Sequence, residues 1–506
     1  MVLSVPEKRF MDRFLNRCVL VGFCCLLLSA PVQVLEAQQE QNRYNVLFIA
    51  VDDLRPELGA YGRSYVNTPS IDRLAEAGVT FTNHYVPAPT CGVSRYALLT
   101  GRSPAQSGVR HGNKALYQGD QALSQERKEG AQSMPELFRR SGYHTVNIGK
   151  ISHTPDGKVY SYDGSGSGRP EVPHAWDELP TPYGPWEYGW GAFFAYPDGR
   201  HREDGTGLRD LMNFEAQKDT DLPDGMLAET AVEKLGELSQ TEEPFFMGLG
   251  FYKPHLPFVA PEEDRKAVEN WNVPPTPHPQ KLDSAYWSGS WEFYSYDMPF
   301  ETSKPLSKSA RMKTRKAYLA CVRYVDRQVG TVLDALEAEG LSDSTIVVLW
   351  GDHGWYLGEY AQWGKHTLLE RATRSPLIIY HPDLKNPGRT VDAPVDTIDL
   401  YPTLVDLARP KFRKTHWPLD GVSLRPLLEG KASSVKPGAM TYWEDEQAVR
   451  TRDWRLITSG NPGSWSNTEL YDLRNGPESG EEVSDEHPDV TRKLQRYLRK
   501  RVTKRK

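Results

Sequence analysis

The sequence predicts an α/β fold: a large sheet with right-handed crossover helices, then a small C-terminal antiparallel subdomain. Three observations predict it. Continuous apolar runs such as Tyr44 to Val51 have the texture of strands buried on both faces of a parallel sheet. These runs alternate with segments of helical spacing. After about Pro410 the texture changes to short strand candidates separated by turn residues.

The chain opens with Lys8, Arg9, Arg13 and Arg17 ahead of an apolar run from Cys18 to Leu28 and a polar Gln38-Gln39-Glu40-Gln41 exit. That is a secretory signal pattern, so residues 1–37 read as a signal peptide and the protein as exported, periplasmic or extracellular. Cleavage falls at Ala30 or Ala37, and Met11 is an alternative start. The apolar run is short for a membrane span, which makes an uncleaved anchor the weaker reading and argues against stable membrane association. The 506 residues are 38% hydrophobic and 25% charged with a net charge of −6, an ordinary globular balance that argues against a nucleic-acid binder.

The first apolar run ends in Asp52-Asp53. Thr68-Pro69 starts a helix, and Val79-Thr80-Phe81 leads into a Pro-rich loop. Ser94 to Leu99 then reads as a short helix stopped by Gly101. Met134 to Ser141 is helical with Pro135 in its first turn, and Tyr143 to Ile148 is a strand followed by Lys150 and His153. Pro155 to Gln217 is Gly/Pro-rich and aromatic without sustained period, so it reads as elaborated loop. A helix is expected from Met226 to Leu238, and a strand from Pro244 to Phe251 ends in Lys253-Pro254-His255. Pro261 to Ser307 is a second aromatic insertion. A long helix surrounds Cys321, a strand from Ser344 to Trp350 ends in Asp352-His353, and a strand at Leu377 to Tyr380 precedes a helix at Asp399 to Leu407. The expected division is a main domain over 43–410, a subdomain over 411–490 and a basic tail over 491–506, where nine Lys or Arg and no acid read as a basic helix or a frayed tail, a solvated terminus being the preferred reading.

In open α/β sheets ligands bind at the carboxyl ends of strands, so the polar groups after four strands are expected to converge. Asp52, Asp53, Asp352 and an oxygen from residue 91 would give a hard divalent cation the oxygen ligands that calcium or magnesium requires. An imidazole is a poor calcium ligand, so His353 reads as a neighbour of the ion or of residue 91. A surplus of lysines and Arg95 beside such an ion suits a sulfate or phosphate oxyanion. Cys91 falls at the helix N-terminus, where free N–H groups favour negative charge, with Arg95 one turn along. A lone cysteine on a helix is equally the mark of an inert buried thiol. Cys321, among Val322, Val325, Val329 and Val332, reads as core packing.

The stretch Cys91, Ser94, Arg95 and Leu98-Leu99-Thr100-Gly101-Arg102 resembles the signature of the type I sulfatases. In that family the cysteine is oxidised to formylglycine, an aldehyde whose hydrate is the nucleophile. Val93 departs from the pattern, which usually has proline there. Gly149 to His153, Tyr252 to Phe258, Gly351 to Glu359 and Trp363-Gly364-Lys365 are similar to the iduronate-2-sulfatase subgroup. The resemblance implies an alkaline-phosphatase-like sandwich on a large mixed, mostly parallel sheet and a calcium-dependent hydrolysis of sulfate esters. It implies a metal site of Asp52, Asp53, Cys91, Asp352 and His353. It gives Arg95 and Lys150 the task of orienting residue 91 and the sulfate. It sets His255 and Lys365 at the leaving oxygen, with His255 as candidate general acid, and makes His153 an aid to sulfate release. The implied partners are a sulfated saccharide, such as a glycosaminoglycan, and a maturation enzyme that converts Cys91. Two competing readings are a phosphodiesterase or phosphonate hydrolase on the same fold, which would need ligands for a second metal, and a non-catalytic glycan binder, which rests on Val93. The two aromatic insertions either shape a sugar pocket or pack as loops.

Overall fold

The computed structural model describes residues 43–503 apart from 290, 304, 462, 475 and 477–479. The expected signal peptide lies outside the described residues. Seven strands form the main sheet: β1 (Asn45–Val51), β2 (Val79–Phe81), β3 (His144–Gly149), β4 (Phe245–Phe251), β5 (Thr345–Gly351), β6 (Leu377–Tyr380) and β7 (Arg389–Val391), in the order β7-β2-β6-β5-β1-β4-β3. β1 pairs parallel with β5 and β4, and β4 pairs parallel with β3. β6 runs antiparallel to both neighbours, so the sheet is mixed and mostly parallel, as expected.

The continuous apolar runs are explained by burial on both faces. In β1, Leu47, Ile49 and Val51 enter one core while Val46, Phe48 and Ala50 enter the other. The first core is closed by α1 (Pro69–Ala77), α4 (Pro223–Leu238) and the long α5 (Lys308–Ala338). The second is closed by α2 (Cys91–Thr100), α3 (Met134–Arg140) and α6 (Leu400–Ala408). The result is a helix–sheet–helix sandwich. Each fully buried Val, Leu or Ile contributes about 1.5–3 kcal/mol. Pro69, Pro135 and Pro223 each occupy the first helical turn, where the missing N–H costs nothing. Cys321 is fully buried on α5 and unpaired, as core packing requires.

The C-terminal region forms a four-stranded antiparallel sheet, β8 (Ala439–Trp443), β9 (Glu446–Arg450), β10 (Trp454–Asn461) and β11 (Ser464–Asp472). The expected solvated tail is corrected over its described part: Pro488–Val502 is a helix, α7. Its Leu494, Leu498 and Val502 pack with Met440, Val449, Leu456 and Leu470. The basic residues occupy the other face.

The insertions also depart from expectation. Residues 155–217 carry a hairpin (Lys158–Tyr160 with Gly166–Pro170) and a short helix (Gly189–Phe193), and their Trp176, Trp186 and Trp190 are buried. The second insertion begins with a helix, Glu262–Glu269, anchored by Asp264, which accepts from Arg327 Nε at 3.1 Å and pairs with Arg323. For the first insertion's tryptophans, loop packing is the correct reading.

Candidate active site

The four parallel neighbours β5-β1-β4-β3 deliver their carboxyl ends to one edge of the sheet. Asp52-Asp53 follow β1, Lys150 follows β3, Lys253 and His255 follow β4, and Asp352-His353 follow β5. Gly149 makes the exit from β3 fit: its φ is 72°, and a Cβ there would lie 2.2 Å from Gly250 O. Asp53 also has positive φ, 60°, held by its N–H donating to Asp352 Oδ1 at 3.0 Å and its carbonyl accepting from Tyr318 OH at 2.9 Å. The helix α2 enters from the side with Cys91 as its first residue, and Gly101 closes it in the left-handed conformation, donating to Ala97 O at 2.9 Å.

Cys91 is the meeting point. Its Sγ lies 3.2 Å from His353 Nε2 and 3.3 Å from Lys365 Nζ. Lys365 Nζ also donates to Asp53 Oδ1 at 2.8 Å, and His353 Nε2 lies 3.2 Å from the same oxygen. Lys150 Nζ donates to Asp52 Oδ2 at 2.5 Å. Arg95, fully buried, donates to Asp352 Oδ2 at 3.0 Å, to Asp52 Oδ1 at 3.3 Å and to the carbonyls of Lys150 and Ile151. Arg95 is therefore a clamp across two strand ends. His255 Nε2 stands 3.9 Å from Asp53 Oδ2, and its Nδ1 faces Leu256 O at 2.7 Å. His153 is buried with its ring 5.5 Å from Trp190. Lys253 does not join the cluster: its Nζ donates to His255 O at 3.1 Å and Pro257 O at 2.8 Å. Every other residue expected at the site is thus at this edge. One carboxylate there was not expected. Glu292, from the second insertion, places Oε1 3.3 Å from His255 Nε2 and Oε2 3.6 Å from Lys365 Nζ.

The electrostatics follow from burial and neighbours. Burial raises the Asp52 carboxyl, but Lys150 and Arg95 outweigh it and hold it well below the usual range. Asp53 goes the other way: burial prevails over Lys365 and His353 and pushes it up to about 7. Burial, with Asp52 nearby, lifts the Cys91 thiol well above its ordinary value. Burial lowers His153, with Lys150 adding to it, and lowers His255, with Lys365 adding to it.

Ligand atoms of Asp52, Cys91, Asp352 and His353 lie within 4.8 Å of one another, which fits one cation. Asp53 Oδ2 is buried without a hydrogen-bond partner, the state of a carboxylate oxygen that a cation would satisfy. A further acidic group, Asp219, Glu263 and Asp264, is neutralised by Arg327 at 2.6–2.7 Å. A second buried group, Asp53, Cys91 and His255, shares Cys91 with the first, so the two overlap on one centre.

The sandwich is an alkaline-phosphatase-like fold, and the comparisons give the chain its family. Residues 44–410 match the family model described as sulfatase, and residues 358–506 match one described as N-sulphoglucosamine sulphohydrolase, C-terminal. A sulfatase from Formosa agariphila is 31% identical over 479 residues, covering 89% of this chain and 87% of the relative. Iduronate 2-sulfatase from Mus musculus is 30% identical over 414 residues, covering 79% of this chain and 69% of the relative. Among solved structures, a 2-O GAG sulfatase superposes with a TM-score of 0.63 at 22% identity, covering 90% of each chain. The phosphonate monoester hydrolase of Agrobacterium radiobacter superposes at 0.71 with 20% identity, covering 91% of this chain and 95% of its own, and shares the fold. The chain belongs to the sulfatase family and is a sulfuric ester hydrolase. No helix among the described residues is long and apolar enough to cross a membrane.

Proposed function

We propose that the protein is an exported sulfatase that removes sulfate from a sulfated uronic acid or a similar glycan saccharide, using formylglycine at position 91 and one calcium ion. The observation that carries this is Cys91 itself: a buried thiol at a helix N-terminus, within 3.3 Å of both His353 and Lys365. A thiol in the middle of such a cluster makes chemical sense as a precursor. Oxidised to formylglycine by a maturation enzyme that accepts Val93, residue 91 would supply an aldehyde whose hydrate is the nucleophile. Similarity to iduronate 2-sulfatase from mouse supports the substrate class.

Asp52, Asp53, Asp352, His353 and residue 91 would hold the calcium, a hard cation suited to carboxylates, which there offsets the charge of the sulfate. Arg95 fixes the spacing of Asp52 and Asp352. Lys150 and Lys365 bind the ester's anionic oxygens, and their charge persists as negative charge develops. His255 stands where it can donate a proton to the leaving sugar oxygen. His153, lined against Trp190, assists release of sulfate.

The test is the mass of the tryptic peptide spanning residues 74–95 from protein made in its native host. Formylglycine is about 18 Da lighter than cysteine. That loss is the expected result. An intact thiol at Cys91 would defeat this mechanism.

A further inference from the structure

The pocket beside the sulfate-binding cations holds a carboxylate that the sheet does not supply. Glu292 comes from the second insertion, and its side chain is 13% exposed. Next to a site for an anionic ester, a carboxylate repels the ester. Its presence calls for donors that compensate. Lys365 and His255 meet that need only in part. Lys365 Nζ is already committed to Asp53 Oδ1 at 2.8 Å, and its 3.6 Å separation from Glu292 Oε2 is longer than a hydrogen bond. Glu292 Oε2 therefore keeps lone pairs for another donor, and the donors a saccharide brings are hydroxyls.

The residue before it is open to solvent. Trp291 is 72% exposed, and Tyr162 is 46% exposed; among the described residues these are the exposed large hydrophobics. Tyr162 lies edge-on to Trp190 at 4.6 Å, and Trp190 lies 5.5 Å from His153. Tyr162 thus reaches His153 through Trp190, and Trp291 adjoins Glu292 in sequence. Single exposed aromatics are ordinary, and these two are singled out by those neighbours. An aromatic face packs against the apolar C–H face of a sugar while its polar tip stays wet.

We propose that Glu292, Trp291 and Tyr162 form the saccharide-reading wall of this site, Glu292 accepting hydrogen bonds from a hydroxyl next to the sulfate ester and the two rings stacking on the sugar. This rests on the reading of the chain as a saccharide sulfatase. It follows that a sugar with a free hydroxyl beside the ester is preferred, and that a second sulfate on that hydroxyl is rejected by like charge.

The test is calorimetric binding to the unreactive Cys91→Ala protein, with inorganic sulfate and a 2-O-sulfated uronic acid disaccharide as probes. Adding Glu292→Gln is expected to weaken the disaccharide about tenfold or more and to leave inorganic sulfate within about threefold. Trp291→Ala is expected to weaken the disaccharide about fivefold and leave sulfate unchanged. Unchanged sulfate binding also shows that each variant is folded. If Glu292→Gln weakens both probes together, Glu292 acts through Lys365 and His255, and the proposal is overturned. Unchanged disaccharide affinity overturns it too. If the Cys91→Ala protein binds sulfate but no sulfated saccharide, the functional reading fails before any wall variant is made, and the wall falls with it.

Discussion

The strand ends and the second insertion bring charged groups to the same cluster by different means. Asp52, Lys150 and Asp352 are buried groups at the ends of paired strands, each one's position set by the register of the sheet. Trp291 and Glu292 are neighbours in a loop, one 72% exposed and the other reaching His255 and Lys365. On the proposed roles, chemistry sits at the strand ends and selection in the loop. A parallel sheet holds charged groups at fixed spacing while burial strengthens their fields. A loop can change its side chains without disturbing that spacing.

The largest effect belongs to the strand-end side. Cys91→Ala is expected to lower kcat on the order of a thousandfold or more, because it removes the proposed precursor of the nucleophile. The unfolding midpoint should change little. Turnover of a sulfated uronide, with a urea melt of the same preparation, checks both. Retained activity would move the chemistry off the strand ends and dissolve the comparison.

Arg95→Ala sharpens it from the stability side. Arg95 bridges Asp52 and Asp352 with all three side chains fully buried. Its removal leaves two carboxylates short of a partner, a loss of about 3–5 kcal/mol in denaturant titration. Added calcium should restore part of that loss. A loss below about 1 kcal/mol would show that the strand ends do not depend on the clamp.

The strand-end half was legible in the sequence, and the physical reason is local. A long apolar run that stops at Asp52-Asp53 or Asp352-His353 signals both the strand and its functional end. The Gly101 stop likewise places the Cys91 helix. The same signal misplaced Lys253, which follows a strand but turns its ammonium to backbone carbonyls. Other elements were hidden because polar contacts hold them. Glu262–Glu269 has only Ala267 and Val268 as apolar residues and is secured by Asp264 with Arg323 and Arg327. The C-terminal helix hid behind its lysines and arginines, although Leu494, Leu498 and Val502 at four-residue spacing did signal it. Glu292 had no local signal. Its role depends on His255 and Lys365, which are distant in sequence and meet it only in the fold.

A third prediction concerns how the C-terminal sheet docks. Glu370 joins it to the main body: Oε2 accepts from Arg450 Nε at 3.2 Å and from Arg455, and Oε1 accepts from Tyr85 OH at 2.9 Å. Burial raises the Glu370 carboxyl, but Arg455 and Arg450 outweigh it and bring it down to about 2. A depressed carboxyl contributes stability that is present above its unfolded value and lost as pH falls towards its folded one. The window is therefore from about pH 4.5 to pH 2, and the contribution is about 3 kcal/mol. Denaturation of wild type and Glu370→Gln at several pH values checks this. The gap between them should narrow as pH falls through that window, and a gap that stays constant would contradict it.

The smallest effect is the sharpest test of the loop side. Trp186, in the first insertion, is buried in the main core, so its size serves packing. Trp291 is 72% exposed, and folding gains little by keeping it. The proposed wall gives this ring a binding task in place of a packing one. Trp291→Ala should therefore change unfolding free energy by no more than about 0.5 kcal/mol. A larger loss in urea titration would mean that the ring is part of the insertion's own packing. The division between a rigid chemical edge and a selecting wall would then have to be drawn at Glu292 instead.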